Sequence, residues 1–157
     1  MKKAVVIALL GLAVLAALPA RAQAAGPLNF YIRVGVITDK NATFNPFLWT
    51  AGANFDINFT ENLFLSADTD MIVYKFSFKP VWLTPSVMLN LRFSAFYIGA
   101  GISKFFIIGD GYTLDSDLLF KANAGFKSDF FKFQVFTYSP FGNMGVFGLG
   151  ANLGFGF

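Results

Sequence analysis

The chain has 157 residues, 55% of them hydrophobic and only 13% charged, with twelve Lys or Arg against nine Asp or Glu. It contains no Cys and no His. That composition excludes a disulfide framework, a zinc site built on those ligands, and catalysis that needs a histidine base.

The first element is a leader. Met1-Lys2-Lys3 is followed by an apolar run from Ala4 to Ala17 and then by Ala22-Gln23-Ala24. A basic start, an apolar centre and small residues around a cleavage point are the marks of a secretory signal peptide, here expected over residues 1–24. An apolar run of about 14 residues falls short of the roughly 20 that a membrane helix needs. A retained N-terminal anchor is the alternative. A lipoprotein anchor is not expected, because no Cys adjoins the cleavage point. Removing 1–24 takes Lys2, Lys3 and Arg21 with it, so residues 25–157 carry nine basic and nine acidic side chains. The basic balance of the whole chain therefore belongs to the leader, and nucleic acid is not an expected partner.

Residues 25–157 are expected to form one all-β domain. Apolar and polar or small residues alternate with period 2 through 28–38, 47–59, 63–74, 81–91, 94–105, 117–127, 130–139 and 146–157. In the first segment Phe30, Ile32, Val34 and Val36 oppose Tyr31, Arg33 and Gly35. In the last, Phe147, Leu149, Ala151, Leu153, Phe155 and Phe157 oppose glycines and Asn152. Alternate side chains of a strand point to opposite faces, so each strand has one bulky apolar face and one small or polar face. Eight strands of this length suit an antiparallel up-and-down transmembrane β-barrel. Breaking the third segment at Asp68-Thr69-Asp70 would give nine, against the even number expected of single-chain bacterial barrels. Pro85 lacks an N–H, and a bulge or local distortion is expected there.

The polar face decides what lies outside. The outer face of a soluble, lipocalin-like barrel should be rich in Lys, Glu and Thr. Here that face carries Gly, Asn and Ser, which suit a narrow wet lumen, and the bulky face is expected to meet lipid. Aromatic residues are expected at both rims. Phe44, Phe47, Trp49, Tyr74, Phe76, Trp82, Phe105, Phe106, Tyr138 and Phe141 fall near one rim, and Phe30, Phe59, Phe93, Phe126, Phe130, Phe131, Phe155 and Phe157 near the other. Short connections at 60–62, 90–93 and 127–129 alternate with longer ones at 39–46, 75–80, 106–116 and 139–145. This asymmetry places both ends of the barrel on the periplasmic side.

With these features the chain resembles the small eight-stranded outer-membrane barrels of the outer-membrane protein A and X type over residues 25–157. The most specific element is the terminal strand with Ala151, Leu153, Phe155 and Phe157 at alternate positions. The resemblance implies insertion into the outer membrane, and it implies that Leu153, Phe155 and Phe157 form the signal read by the barrel assembly machinery. It does not fix a function.

The candidate site is the lumen. Arg33, Asp56, Asp68, Asp70, Lys121 and Lys132, with Asn54, Asn123, Gln134 and Asn152, all fall on the inward face. Buried charges are costly unless paired, so an interior ion-pair network that plugs the barrel is the expectation. Bridges from Arg33 and Lys132 to Asp56 or Asp68 would favour the plug. The expected function is structural or interactive. The alternative is a narrow channel or small-solute transport barrel of the outer-membrane protein W type. An adhesin is a third reading, weakened by short loops. Lys40, Lys75, Lys79 and Lys104 are candidate contacts for lipopolysaccharide phosphates. Asp110, Asp115 and Asp117 lack the ligand spacing of a calcium loop. No enzyme activity, cofactor or metal is expected, and a closed barrel has no free edge that requires a second copy, so a monomer is expected.

Overall fold

A computed structural model describes residues 27–39, 41, 43, 48–74, 77–109, 111–143 and 148–157. The leader, Lys40, Phe44, Phe47, Lys75, Phe76, Asp110 and residues 146–147 lie outside the described residues, as do the side chains of Tyr74 and Lys79. The strands are β1 (Leu28–Asp39), β2 (Leu48–Asn58), β3 (Leu63–Tyr74), β4 (Ser77–Phe93), β5 (Phe96–Ser103), β6 (Phe106–Gly109), β7 (Tyr112–Asp115), β8 (Leu119–Lys127), β9 (Phe131–Pro140) and β10 (Gly148–Gly156). Every pairing is antiparallel.

Eight of these strands close into a transmembrane β-barrel. β1 to β5 and β8 to β10 pair in succession, and β1 pairs with β10 to complete the ring. Closure is what a lipid environment demands, because an open edge would leave backbone groups without partners in hydrocarbon. The register fixes the shape. Leu28 pairs with Ile57, Ile57 with Leu65, Leu65 with Leu89, Leu89 with Ala100, Ala100 with Ala122, Ala122 with Thr137, Thr137 with Leu149, and Leu149 with Thr38. One circuit therefore climbs β1 by ten residues. A stagger of ten over eight strands tilts them by about 40–45° and leaves an interior that side chains can fill.

The period-2 pattern is obeyed around the ring. Ile32, Val34, Phe55, Val87, Leu89, Ile98 and Val135 are exposed on the outer wall, while Arg33, Asn54, Asp68, Asn90, Lys121 and Gln134 are buried inside. β3 runs unbroken through Asp68-Thr69-Asp70, so the nine-strand division does not occur.

Four details differ from the sequence expectation. The loop expected at 106–116 is a hairpin, β6 and β7, and β6 also pairs with Val81–Leu83 of β4. The β-favouring runs Phe106-Ile107-Ile108 and Tyr112-Thr113-Leu114 supply the strands, and Gly111 takes a positive φ of 81° in the turn. Residues 77–80, expected in a loop, begin β4. Residues 90–93 are strand as well. The connection there is only Ser94-Ala95, with Ser94 at φ 60°. Last, Pro85 stays in register opposite Thr69, and the disturbance falls on its other neighbour. β5 stops at Ser103 and β6 starts at Phe106, with the same register to β4 on both sides of the gap. The N–H and C=O of one residue point to the same side of an antiparallel strand, so the N–H that proline lacks would have pointed at this gap. The Pro85 carbonyl still accepts from Lys104 N at 3.1 Å and Ser103 Oγ at 2.9 Å. A separate register shift in the β3–β4 pair lies between Ile72 and Tyr74.

The rims are partly as expected. Trp49, Trp82, Phe30, Phe59, Phe93, Phe130, Phe155 and Phe157 are exposed. Tyr138 is instead buried, and with the half-buried Phe105 it packs on the cluster of Ile37, Ile72, Leu119 and Phe136. These two fill the lumen at the long-loop end, because inward parity carries through the ends of β5 and β9.

Candidate functional site: the charged lumen

Three layers fill the barrel. At the long-loop end sits the apolar cluster just described. At the short-turn end Tyr31, Phe64 and Tyr97 are fully buried, with Phe64 and Tyr97 edge to face at 5.4 Å. The Tyr31 hydroxyl ties this floor to the turn by donating to Ser128 O at 2.7 Å. Arg33, Asp68, Asp70 and Lys121 lie between these layers, while Asp56, Lys127 and Lys132 sit at the level of the aromatic residues.

One group of charges is centred on Asp68 and Asp70. Arg33 Nη1 donates to Asp68 at 2.8 Å and to Gln134 Oε1 at 3.1 Å, while Nη2 reaches both oxygens of Asp70 at 2.7 Å. Lys121 Nζ donates to the same Asp68 oxygen at 2.8 Å and to Ser86 Oγ at 3.0 Å. Asn152 joins β10 by donating to Asp70 at 3.2 Å and accepting from Thr50 Oγ1 at 2.8 Å.

The other group is centred on Asp56. Lys132 Nζ lies 2.9 and 3.0 Å from its two oxygens and also donates to Asn54 Oδ1 at 2.7 Å. Lys127 is 2.9 Å from the same carboxylate. Ser66 Oγ donates to Asp56 at 2.6 Å and accepts from Asn90 at 3.0 Å. Lys127 also stands 4.2 Å from the centre of the Phe64 ring, and Lys132 5.2 Å from that of Tyr97. The aromatic floor therefore turns its negative ring faces to the ammonium groups.

The lumen residues expected from sequence are thus brought together, with one qualification. Asn123 is buried on the inner wall beside Gly99 and Asn90, but its amide joins neither ion-pair group. Sequence reasoning missed Lys127, which it assigned to a turn. Its signal was present in parity with Lys121, Asn123 and Gly125. With Lys127 included, four cations face three carboxylates, where the sequence expectation paired three with three. Ser66, Ser86 and Asn90 were legible as inward residues but not as links between the charges.

Several lumen positions are glycine because neighbours occupy the space. A Cβ on Gly99 would strike the Asn90 and Asn123 amides, and one on Gly101 would come within 2.7 Å of Met88 Cα. Among the described residues no cluster of acidic groups is arranged to hold a metal. Asp115 pairs with Lys104 rather than with another loop acid.

No family model matches the chain, and no curated protein is similar to it in sequence. Solved structures match its fold. The N-terminal β-barrel domain of Pseudomonas aeruginosa OprF aligns with 82% of this chain and 97% of its own, at 13% identity and a TM-score of 0.54. A de novo designed transmembrane β-barrel covers 86% of this chain and 98% of its own, at 11% identity and a TM-score of 0.49. Ail, the attachment invasion locus protein of Yersinia pestis, solved with the heparin analogue sucrose octasulfate, covers 82% and 94%, at 10% identity and a TM-score of 0.44. The chain therefore has the fold of a small eight-stranded transmembrane barrel, like that of the OprF domain. This agrees with its resemblance to the outer-membrane protein A and X type.

Proposed function

We propose that the protein is an exported, integral outer-membrane barrel with a structural or interaction role and a lumen closed by its own side chains. The observation that carries this reading is the pair of ion-pair groups. Arg33, Lys121, Lys127 and Lys132 are each spoken for by Asp56, Asp68 or Asp70, with an apolar cluster at the long-loop end and aromatic rings packed against the lysines at the short-turn end. A solute would have to separate paired, desolvated charges to pass, and breaking such a pair costs several kcal/mol. The bridges from Arg33 to Asp68 and from Lys132 to Asp56 favour this plug over the narrow-channel alternative.

In this reading residues 1–24 direct export and are removed. The assembly machinery recognises the last strand, where Phe155 is exposed on the outer wall against Phe131 and Phe157 is exposed at the end. The mature barrel is a monomer among outer-membrane lipids, including lipopolysaccharide. This reading assigns no catalytic role: the chain has no histidine, and the charged groups of the lumen are engaged with one another.

Planar-bilayer recording of refolded protein tests the plug. The wild type is expected to show no stepwise conductance. The triple variant Tyr31→Ala, Arg33→Ala, Phe136→Ala, which removes one blocking side chain at each end and one at the centre, is expected to open a small pore. Clear unitary steps from the wild type would overturn the reading.

A further inference from the structure

Two segments of the chain share one pattern. Asp39-Lys40-Asn41-Ala42-Thr43 and Asp56-Ile57-Asn58-Phe59-Thr60 each place Asn two residues before Thr, with no proline between them and an Asp two residues before the Asn. Asn-x-Thr without proline is the acceptor pattern for an N-linked glycan in an exported chain, and it works only where the Asn is open at a surface. No other asparagine of the chain has Ser or Thr two residues on.

The fold treats the two segments in opposite ways. The second belongs to the lumen. Asp56 is fully buried and holds Lys127 and Lys132. Asn58 donates to Asn29 Oδ1 at 2.8 Å and accepts from Lys127 Nζ at 2.9 Å, so both ends of its amide are used at the short-turn mouth of the barrel. A sugar on that nitrogen would stand in the mouth, against Asn29.

The first segment lies outside. Asp39, Asn41 and Thr43 are all exposed, where β1 ends and the connection to β2 begins. Asp39 accepts from Thr43 N and Thr43 Oγ1, both at 3.1 Å, and lies 3.5 Å from Asn41 Nδ2. These contacts span at most four residues. Such a turn is held by its own side chains, needs nothing from the rest of the barrel, and is open to the chain before it folds. It bends the backbone around Asn41 and keeps that side chain at the surface.

We propose that Asn41 is the acceptor of an N-linked glycan, added in the periplasm from a polyprenyl-diphosphate-linked oligosaccharide, and that Asn58 carries none in the folded barrel. In the transfer, a bond forms between Asn41 Nδ2 and the anomeric carbon of the sugar as the bond from that carbon to the diphosphate oxygen breaks. The diphosphate leaves with the electron pair, and the amide gives up one proton to a base of the transferase. This chain supplies the acceptor nitrogen and, through Asp39 and Thr43, the turn that presents it. The inference rests on the reading of the chain as exported. With the long loops outside, it places a sugar chain beside those of the lipopolysaccharide.

Intact-mass measurement and glycopeptide mapping of the barrel, purified from the outer membrane of the cells that make it, test the proposal. The wild type is expected to exceed the mass of the unmodified mature chain by a whole number of sugar residues, all on the peptide that contains Asn41. Asn41→Gln and Thr43→Val are each expected to lose the added mass and to keep the β-sheet circular dichroism of the wild type, because both side chains are exposed. Thr43→Ser is expected to keep the added mass. Thr60→Val, which removes the second pattern, is expected to leave it unchanged. Asp39→Asn is expected to lower the share of modified chains, and an unchanged share would remove the turn from the account. An unmodified wild type from the outer membrane, a sugar on Asn58, or added mass that survives Asn41→Gln would overturn the proposal. A wild-type chain recovered from the cytoplasm with its leader uncleaved would instead overturn the export reading, and the site with it.

Discussion

Arg33 and Asp70 face each other across the lumen with one guanidinium nitrogen, Nη2, 2.7 Å from both carboxylate oxygens. They sit on β1 and β3, so the bond passes over β2. Gly52 of β2, which pairs with both Arg33 and Asp70, leaves the space for it. The other Arg33 nitrogen, Nη1, takes Asp68, and Asp68 also holds Lys121.

The two aspartates are therefore unequal. Asp68→Asn leaves Lys121 without a carboxylate and deprives Arg33 of one of its two, and is expected to cost about 3–5 kcal/mol. Asp70→Asn leaves Arg33 with Asp68 and Gln134 and is expected to cost about 1.5–3 kcal/mol. Urea unfolding of the two variants in vesicles measures the difference. Equal losses would show that Asp68 does not bridge the two cations.

Gly101 faces the β4 backbone so closely that an added Cβ would meet Met88 Cα at 2.7 Å. Gly101→Ala is expected to cost about 1–3 kcal/mol through overpacking. Gly142 has nothing within 4 Å, and Gly142→Ala should stay within about 0.5 kcal/mol of the wild type. Matched unfolding curves test both, and a neutral Gly101→Ala would contradict the packing described.

Ser94 adopts φ 60° in a two-residue hairpin connection. Glycine there would relieve about 1–2 kcal/mol of left-handed strain, against roughly 0.5–1 kcal/mol of extra freedom in the unfolded chain. Ser94→Gly is therefore expected to raise the unfolding midpoint slightly. A lowered midpoint would mean that the serine side chain contributes more than its backbone costs.

Asp39, at the long-loop rim, accepts from the backbone N–H of Thr43 and from its hydroxyl, both at 3.1 Å. The backbone N–H foremost, then the hydroxyl, hold this carboxyl below its ordinary value. A lowered value in the folded state means that the turn is favoured above the ordinary carboxylate value of about 3.9 and loses that support as pH falls through the lower, folded value. Carbon-detected NMR titration of Asp39 should give a midpoint below the ordinary value. A midpoint at or above it would remove the Thr43 contacts from the account.

The barrel was legible because its evidence is periodic. Parity alone placed Arg33, Asn54, Asp56, Asp68, Lys121 and Gln134 inside. Parity does not say who meets whom. That depends on the stagger between strands, which lets Arg33 reach past its neighbour to β3 and brings Lys132 of β9 to Asp56 of β2. Lys127 was obscured by its place next to Ser128-Asp129, which reads as a turn, although the strand continues through it. The outer hairpin was obscured by its length. Its two short runs on either side of Asp110-Gly111 carry a turn signal that a reading tuned to long strands passes over.

The lumen network also constrains how this chain assembles. Its bonds join residues far apart in sequence: 53 positions for Lys121 and Asp68, 76 for Lys132 and Asp56, 101 for Arg33 and Gln134. None of these can form in a single hairpin. A half-made sheet lying in lipid would expose the same lysines and aspartates bare to hydrocarbon, at a cost that rises with every strand inserted before the seam between β1 and β10 is sewn. Insertion and closure are therefore expected to be coupled, because the charges that pair across the lumen also penalise every barrel left unfinished.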